Sequence, residues 1–203
     1  MPRLRSLPLD EFDPELRAML NADQKSEREL RPMSIRAQHP ELAKAYVRYT
    51  ATVNRHAVLS PRLRELVRLR IAFHNQCRSC MAMRYADAVD AGVTEDLVCS
   101  LEKPHEAPDL SAAERIALRY ADLMATNHLA IDDAFYARLK EHFSEKELVE
   151  LGSWCAICVG FGRLSATWDM TEDLPDRFRD SVDQPVTPWG PDAWVTGSVR
   201  KAA

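Results

Sequence analysis

Helix-start chemistry recurs along this chain and constrains its fold more than any other feature. Ser60-Pro61 places a side-chain acceptor at a helix N-cap and a proline at the first helical position, where its missing N–H costs nothing. Ser111-Ala-Ala-Glu114 and Ser144-Glu-Lys-Glu147 are capping boxes, in which serine and glutamate satisfy each other's free backbone N–H groups. His39-Pro40, Thr94 and Asp132 open three more helical segments. Behind these starts the apolar residues recur at helical spacing: Leu42, Tyr46, Tyr49 and Val53 within 40–54, Leu63, Leu66, Val67, Ile71 and Phe73 within 61–75, and Leu148, Leu151, Trp154, Ile157, Phe161 and Leu164 in a long final helix. A helix is also predicted over 77–91, stopped by Gly92. Only six glycines are present and alternating β-branched runs are few, so the expected fold class is all-α, a compact helical bundle.

Around that bundle the sequence reads as three parts. Residues 1–38 are an N-terminal extension with one short helix, Asp13 to Leu20, and a polar stretch, ADQKSERELRP, that suits a surface loop or lid. Residues 39–170 form the helical domain. Residues 171–203 are an extended tail, whose Trp189 and Trp194 are expected to dock on the protomer's own body or on a neighbour. The 46% hydrophobic and 29% charged content is globular, and no apolar run of about eighteen residues suggests a membrane span. The first residues lack the apolar segment and cleavage site of a secretory signal, so a cytoplasmic protein is expected. A net charge of −4 gives no footprint for nucleic acid; Arg62, Arg64, Arg68 and Arg70 read as a solvated or salt-bridged helix face. Glycine-rich nucleotide loops, HExxH and GxSxG are missing, so no cofactor is expected and the chemistry must come from the cysteines.

Cys77-Arg-Ser-Cys80 and Cys155-Ala-Ile-Cys158 share a spacing but not a setting. The first opens a helix beside His74, Arg78 and Ser79, where unpaired N–H groups and positive charge favour a thiolate. Three residues of helix also bring two α-carbons to roughly 5 Å, within reach of a disulfide. A redox pair and a pair of small semi-buried core residues both fit that setting. The second pair lies mid-helix among apolar residues and reads as inert packing, as does the lone Cys99. Together the pairs number four possible zinc ligands, but the 74 residues between them far exceed zinc-ribbon spacing, and no metal site is expected. Glu65 precedes Cys77 by twelve residues; in a hairpin turning at Asn75-Gln76 it lies about 13 Å before the turn. Arg84 lies nearly level with it across the hairpin and shares a face with both thiols, so these four residues are expected to converge. An ordinary Glu65–Arg84 ion pair fits the same spacing.

Glu65, its spacing to the CxxC at 77–80, and AVDAGVTEDLV beyond it resemble the carboxymuconolactone decarboxylase superfamily, on its alkyl hydroperoxidase D-like branch. The resemblance covers roughly 40–170, with Gly160-Phe-Gly-Arg163 ending the last core helix. It implies a compact helical fold assembled as a dimer, trimer or hexamer, and a small-molecule hydroperoxide as substrate with an outside thiol as electron donor. It also implies roles: Cys80 attacks the peroxide, Cys77 resolves the sulfenic acid as a disulfide, and Glu65 belongs to the proton relay. The departure is Arg84, where that branch has a histidine; arginine cannot shuttle protons near neutral pH. His74 is a substitute shuttle, and an Arg84→His change is expected to speed peroxide reduction. Two other functions fit: a lyase acting on a small carboxylated substrate, with Arg84, Arg70 and His74 as its polar groups, and a non-catalytic helical oligomer with redox-sensing thiols.

Overall fold

The computed structural model describes residues 2–179 and 185–196. In chain order its main elements are α1 (Pro14–Met19), α2 (Glu27–Arg36), α3 (Pro40–Arg55), α4 (Pro61–Asn75), α5 (Arg78–Ala82), β1 (Met83–Tyr85), α6 (Ala86–Asp90), α7 (Glu95–Cys99), α8 (Ala112–Thr126), α9 (Asp133–Lys140), α10 (Glu145–Trp168), α11 (Asp176–Arg179) and β2 (Trp194–Thr196). Among the described residues the fold is all-α apart from a single pair of three-residue strands. The helix starts legible in the sequence are built as their chemistry dictates. Ser60 Oγ accepts from Leu63 N–H at 3.2 Å, and Ser111 and Ser144 close full capping boxes with Glu114 and Glu147.

α4 is the axis of the bundle, packed between α8 and α10. Leu66, Val67, Leu69 and Ile71 are removed from solvent entirely, and Leu118, Leu139 and Leu151 meet them in one core. Of the two expected readings, the four arginines of α4 take the salt-bridged one: each finds a carboxylate. Arg62 pairs with Glu114 at 2.6 Å, Arg64 with Glu150 at 3.5 Å, Arg68 with Glu65 at 2.7 Å and Arg70 with Asp122 at 2.6 Å. A helix buried on nearly every side can carry four arginines only because each one reaches a counter-charge as it leaves the apolar core.

α10 is long and apolar enough to cross a membrane by length and composition, although its apolar residues are interrupted by polar ones. It packs Leu148, Leu151, Trp154, Cys155 and Ile157 onto the core. Val149 and Leu164 stay exposed on the helix, and Phe161, partly exposed, packs its ring edge-on against Tyr46 of α3 at 4.6 Å.

Two segments depart from the expected reading. The polar stretch ADQKSERELRP is no loop: Ser26 forms a capping box with Glu29 and opens α2, which buries Leu30, Met33, Ser34 and Ile35. The helix expected over 77–91 breaks at Met83–Tyr85, which pairs in parallel with Trp194–Thr196, Met83 opposite Trp194. Local helix propensity loses here to tertiary hydrogen bonding. The tail is fastened at three more places. The Gln76 side-chain amide bonds Val186 in both directions, at 2.8 and 3.2 Å, Arg84 reaches Pro188 O at 2.7 Å, and Trp189 Nε1–H donates to Glu102 at 2.6 Å. Trp189 thus docks on the protomer's own body.

Candidate redox site

The reversal between α4 and α5 sets up the thiols. Gln76 takes the left-handed conformation at φ 48° and caps α4, while Cys77 N–H returns to Ala72 O at 3.1 Å. The chain therefore enters α5 at once, with Cys77 at its N-cap and buried, and Cys80 partly exposed one turn on. Their sulfurs are bonded, and the α-carbons stand 5.2 Å apart. α10 is held close behind: Asn75 Nδ2 donates to Cys158 O at 2.8 Å, and a Cβ on Gly162 would sit 2.6 Å from that nitrogen, so glycine permits the approach.

Arg68 is the hub of the site. Its Nε and Nη2 donate to the two oxygens of Glu65 at 2.7 and 2.8 Å, its Nη1 to Cys80 O at 2.6 Å and its Nη2 to Met83 O at 2.6 Å. Glu65 is 1% exposed and accepts one further bond, from Tyr85 N–H at 3.3 Å. Burial alone would lower the Arg68 pKa, but the charge and hydrogen bonds of Glu65 outweigh it, and the guanidinium is held more firmly protonated than usual. Its Cζ lies 5.0 Å from the centroid of the Tyr85 ring. The Tyr85 phenol is pushed up by burial, against the pull of Arg68, so it stays protonated. The Cys158 thiol is likewise pushed up to about 12 by burial, although Arg68 acts in the opposite sense.

Arg68, Cys80, Tyr85 and Cys158 line one cavity of about 790 Å³, bounded by α2, α3, α4, α5 and α10 with Trp194 of β2 at its edge. That volume suits a small-molecule ligand. Among the described residues, no group of three or more His, Cys, Asp or Glu side chains is placed to hold a metal ion.

The structure brings together three of the five residues expected at the site. Cys77 and Cys80 are bonded, and Glu65 reaches them through Arg68 rather than as a free relay carboxylate. Arg84 does not converge with them. The break at β1 turns its side chain to the opposite side, where it holds Glu95 at 2.7 and 3.0 Å, Met81 O at 2.5 Å and Pro188 O at 2.7 Å. His74 also faces away, its Nε2 2.7 Å from Asp122, which Arg70 holds on its other side. Arg84, Arg70 and His74, the polar groups of the lyase alternative, therefore all lie off the cavity. Cys99, expected to be structural, is exposed on α7, and Cys158, expected to be mere packing, lines the cavity beside Cys80. Sequence reasoning missed Arg68, Tyr85 and Cys158. The first carried a signal: Arg68 follows Glu65 by three positions, the spacing of a same-face ion pair.

Residues 40–123 match the family model described as the carboxymuconolactone decarboxylase family. This segment belongs to that family. It runs from α3 through most of α8, so Glu65, Arg68, both cysteines of the CxxC and Tyr85 are family-segment residues, while α2 and α10 supply cavity walls from outside it. An uncharacterised protein of Mycobacterium tuberculosis is 38% identical over 105 residues, 51% of this chain and 36% of its own length. The uncharacterised protein YnjA of Escherichia coli is 30% identical over 117 residues, 58% of this chain and 62% of its own. The chain thus spans about a third of the first relative and under two thirds of the second. A crystal structure from Ralstonia eutropha, described as an alkylhydroperoxidase AhpD core and an uncharacterised peroxidase-related protein, superposes with a TM-score of 0.68 at 18% identity, over 88% of this chain and 94% of that one. At that identity the likeness is one of fold, and the all-α arrangement is that of the AhpD core.

Proposed function

We propose that this carboxymuconolactone decarboxylase family protein is a CxxC thiol oxidoreductase that reduces hydroperoxides. The observation that carries the reading is the split between the two thiols: Cys80 faces the cavity, and Cys77 stands buried behind it within bonding reach. The Cys80 thiolate attacks the outer peroxide oxygen, an S–O bond forms, the O–O bond breaks, and the alkoxide leaves as an alcohol after taking a proton. Tyr85 is the donor this geometry favours, a protonated phenol on the cavity wall, in the role that histidine at position 84 would have filled. Cys77 then attacks the sulfenic acid, the disulfide forms and water leaves. An external dithiol returns two electrons and two protons, which suits a reducing compartment such as the cytoplasm. Arg68 fixes the backbone at Cys80 and Met83 and supplies positive charge; Glu65 positions Arg68. Val149 and Leu164, exposed on α10, are apolar side chains that a second copy would cover in an oligomer.

The test is a titration of the reduced chain with one equivalent of cumene hydroperoxide, followed by disulfide mapping. The expected result is a rapid stoichiometric Cys77–Cys80 bond, no consumption by Cys80→Ser, and a trapped sulfenic acid in Cys77→Ser. Thiols that stay free for hours would overturn the reading.

A further inference from the structure

The cavity beside Cys80 is cationic although the chain as a whole is acidic. Lys25, Arg28, Arg31, Arg36, Arg55 and Arg68 line it, against the carboxylates of Glu29 and Asp173. Some of that charge is already answered. Glu65 neutralises Arg68, and Arg31 pairs with Glu172 and Asp173.

Arg36 is different. It closes α2 and reaches the cavity wall between α3 and α10, with its Nη1 donating to Pro32 O at 2.6 Å and its Nη2 to Ser165 Oγ at 3.0 Å. The rings of Tyr46, Trp168 and Phe161 surround its guanidinium at 4.8, 4.7 and 5.9 Å. No carboxylate among the described residues lies within ion-pair distance of it, and its buried Nε–H has no partner. A guanidinium has five N–H donors in a fork that matches a carboxylate. Ring faces and neutral acceptors answer part of the cost of burying this one but none of its charge. Burial accordingly pulls its pKa below the ordinary arginine value. The remaining wall is largely apolar and includes Leu30, Met33, Val47, Ile157 and Phe161.

We propose that Arg36 is the anion anchor of this cavity, and that the ligand is an amphipathic carboxylate: one acid group on Arg36 and an apolar chain or ring in the chamber that Cys80 shares. Where the acid is also a hydroperoxide, the inference rests on the thiol peroxidase reading and names its substrate class. The anchor itself does not depend on that chemistry, and α2 brings it from outside the family segment.

The test compares an acid with its neutral twin on the full-length oxidised chain, in which no turnover occurs. Decanoate and methyl decanoate are titrated while the fluorescence of Trp154 and Trp194, both on the cavity wall, is followed. Decanoate is expected to bind at least about ten-fold tighter than the ester in the wild type. Arg36→Gln should remove that preference and leave ester binding unchanged, whereas Arg36→Lys, which keeps the charge without the fork, should retain part of it. Melting curves check that both variants are folded. Equal binding of acid and ester in the wild type, no binding of either, or a preference that survives Arg36→Gln would each overturn the proposal. The two readings fail separately. A chain that prefers decanoate but leaves its thiols inert to cumene hydroperoxide keeps the anchor and loses the peroxidase, and one that reduces cumene hydroperoxide without preferring the acid loses only the anchor.

Discussion

Replacing Arg68 by methionine is the most informative perturbation of the site. The residue is 6% exposed and makes four charge-assisted hydrogen bonds, two to Glu65 at 2.7 and 2.8 Å and one each to Cys80 O and Met83 O at 2.6 Å. Methionine keeps the length and removes all four. Glu65, 1% exposed, is left with one long bond from Tyr85 N–H at 3.3 Å. Orphaning one member of a buried ion pair costs about 3–5 kcal/mol, which for a chain of this size is a fall in melting temperature of roughly 6–20 °C. The loss should also depend on pH. An unpaired buried carboxylate has a folded pKa above its unfolded value, so the folded state holds the extra proton. The variant's deficit against the wild type is therefore smallest below about pH 4 and grows as pH rises from there through the folded pKa. Removing both charges, as Glu65→Gln with Arg68→Met, should recover most of the loss, because an uncharged pair leaves no orphan. Urea unfolding at pH 5 and pH 8, with the rate of Cys77–Cys80 closure read in parallel, measures each part. A cost below about 1 kcal/mol, or a double variant no better than Arg68→Met alone, would refute the assignment of Arg68 as the charge that holds this site.

Asp122 offers a second pH-dependent test. Burial alone would raise its pKa, but hydrogen bonds from His74 and Arg70 hold it below the usual carboxylate range. A depressed folded pKa contributes stability that is complete above the unfolded value, near about pH 4, and is lost as pH falls through the folded value. Asp122→Asn should thus cost about 3 kcal/mol at pH 7, with the gap to wild type closing on acidification; a gap that widens towards pH 3 would contradict the pairing. The third outcome reverses an expectation drawn from the sequence. Arg84 is 2% exposed and ties Glu95 and Pro188 together, contacts that imidazole cannot reproduce. Arg84→His should therefore lower the melting temperature by roughly 5 °C or more with no gain in peroxide turnover, and faster turnover in an equally stable protein would show that position 84 does face the reaction.

The parts of this fold that were legible in the sequence are those fixed by local chemistry. Ser60, Ser111 and Ser144 announce their helices because a cap is satisfied within three residues. The CxxC pair was legible for the same reason, its spacing being short enough to set its geometry. Arg84 was misplaced because its position depends on residues about 110 positions away: strand pairing with Trp194–Thr196 ends the helix that would have turned it towards the thiols. His74 was misplaced because nothing near it in sequence shows that Asp122 waits on α8. Arg36 lies four residues beyond ADQKSERELRP, the stretch read as a loop because composition outweighed the capping box at Ser26 and Glu29 that starts its helix.

The pairing of β1 with β2 also orders events in time. Synthesis delivers the chain at about 5–20 residues per second, so roughly 5–20 s separate the appearance of Met83 from that of its partner Trp194. Helices α4, α8 and α10 are available to condense in that interval, with local contacts that close cheaply, whereas the strand contact spans a long loop and must wait. A growing chain therefore carries Cys77 and Cys80 on an unfinished support, and the wall of the cavity that includes Trp194 is set only when the tail arrives. Residues 194–196, made long after the CxxC pair, are among those that decide when Cys77 and Cys80 acquire their surroundings.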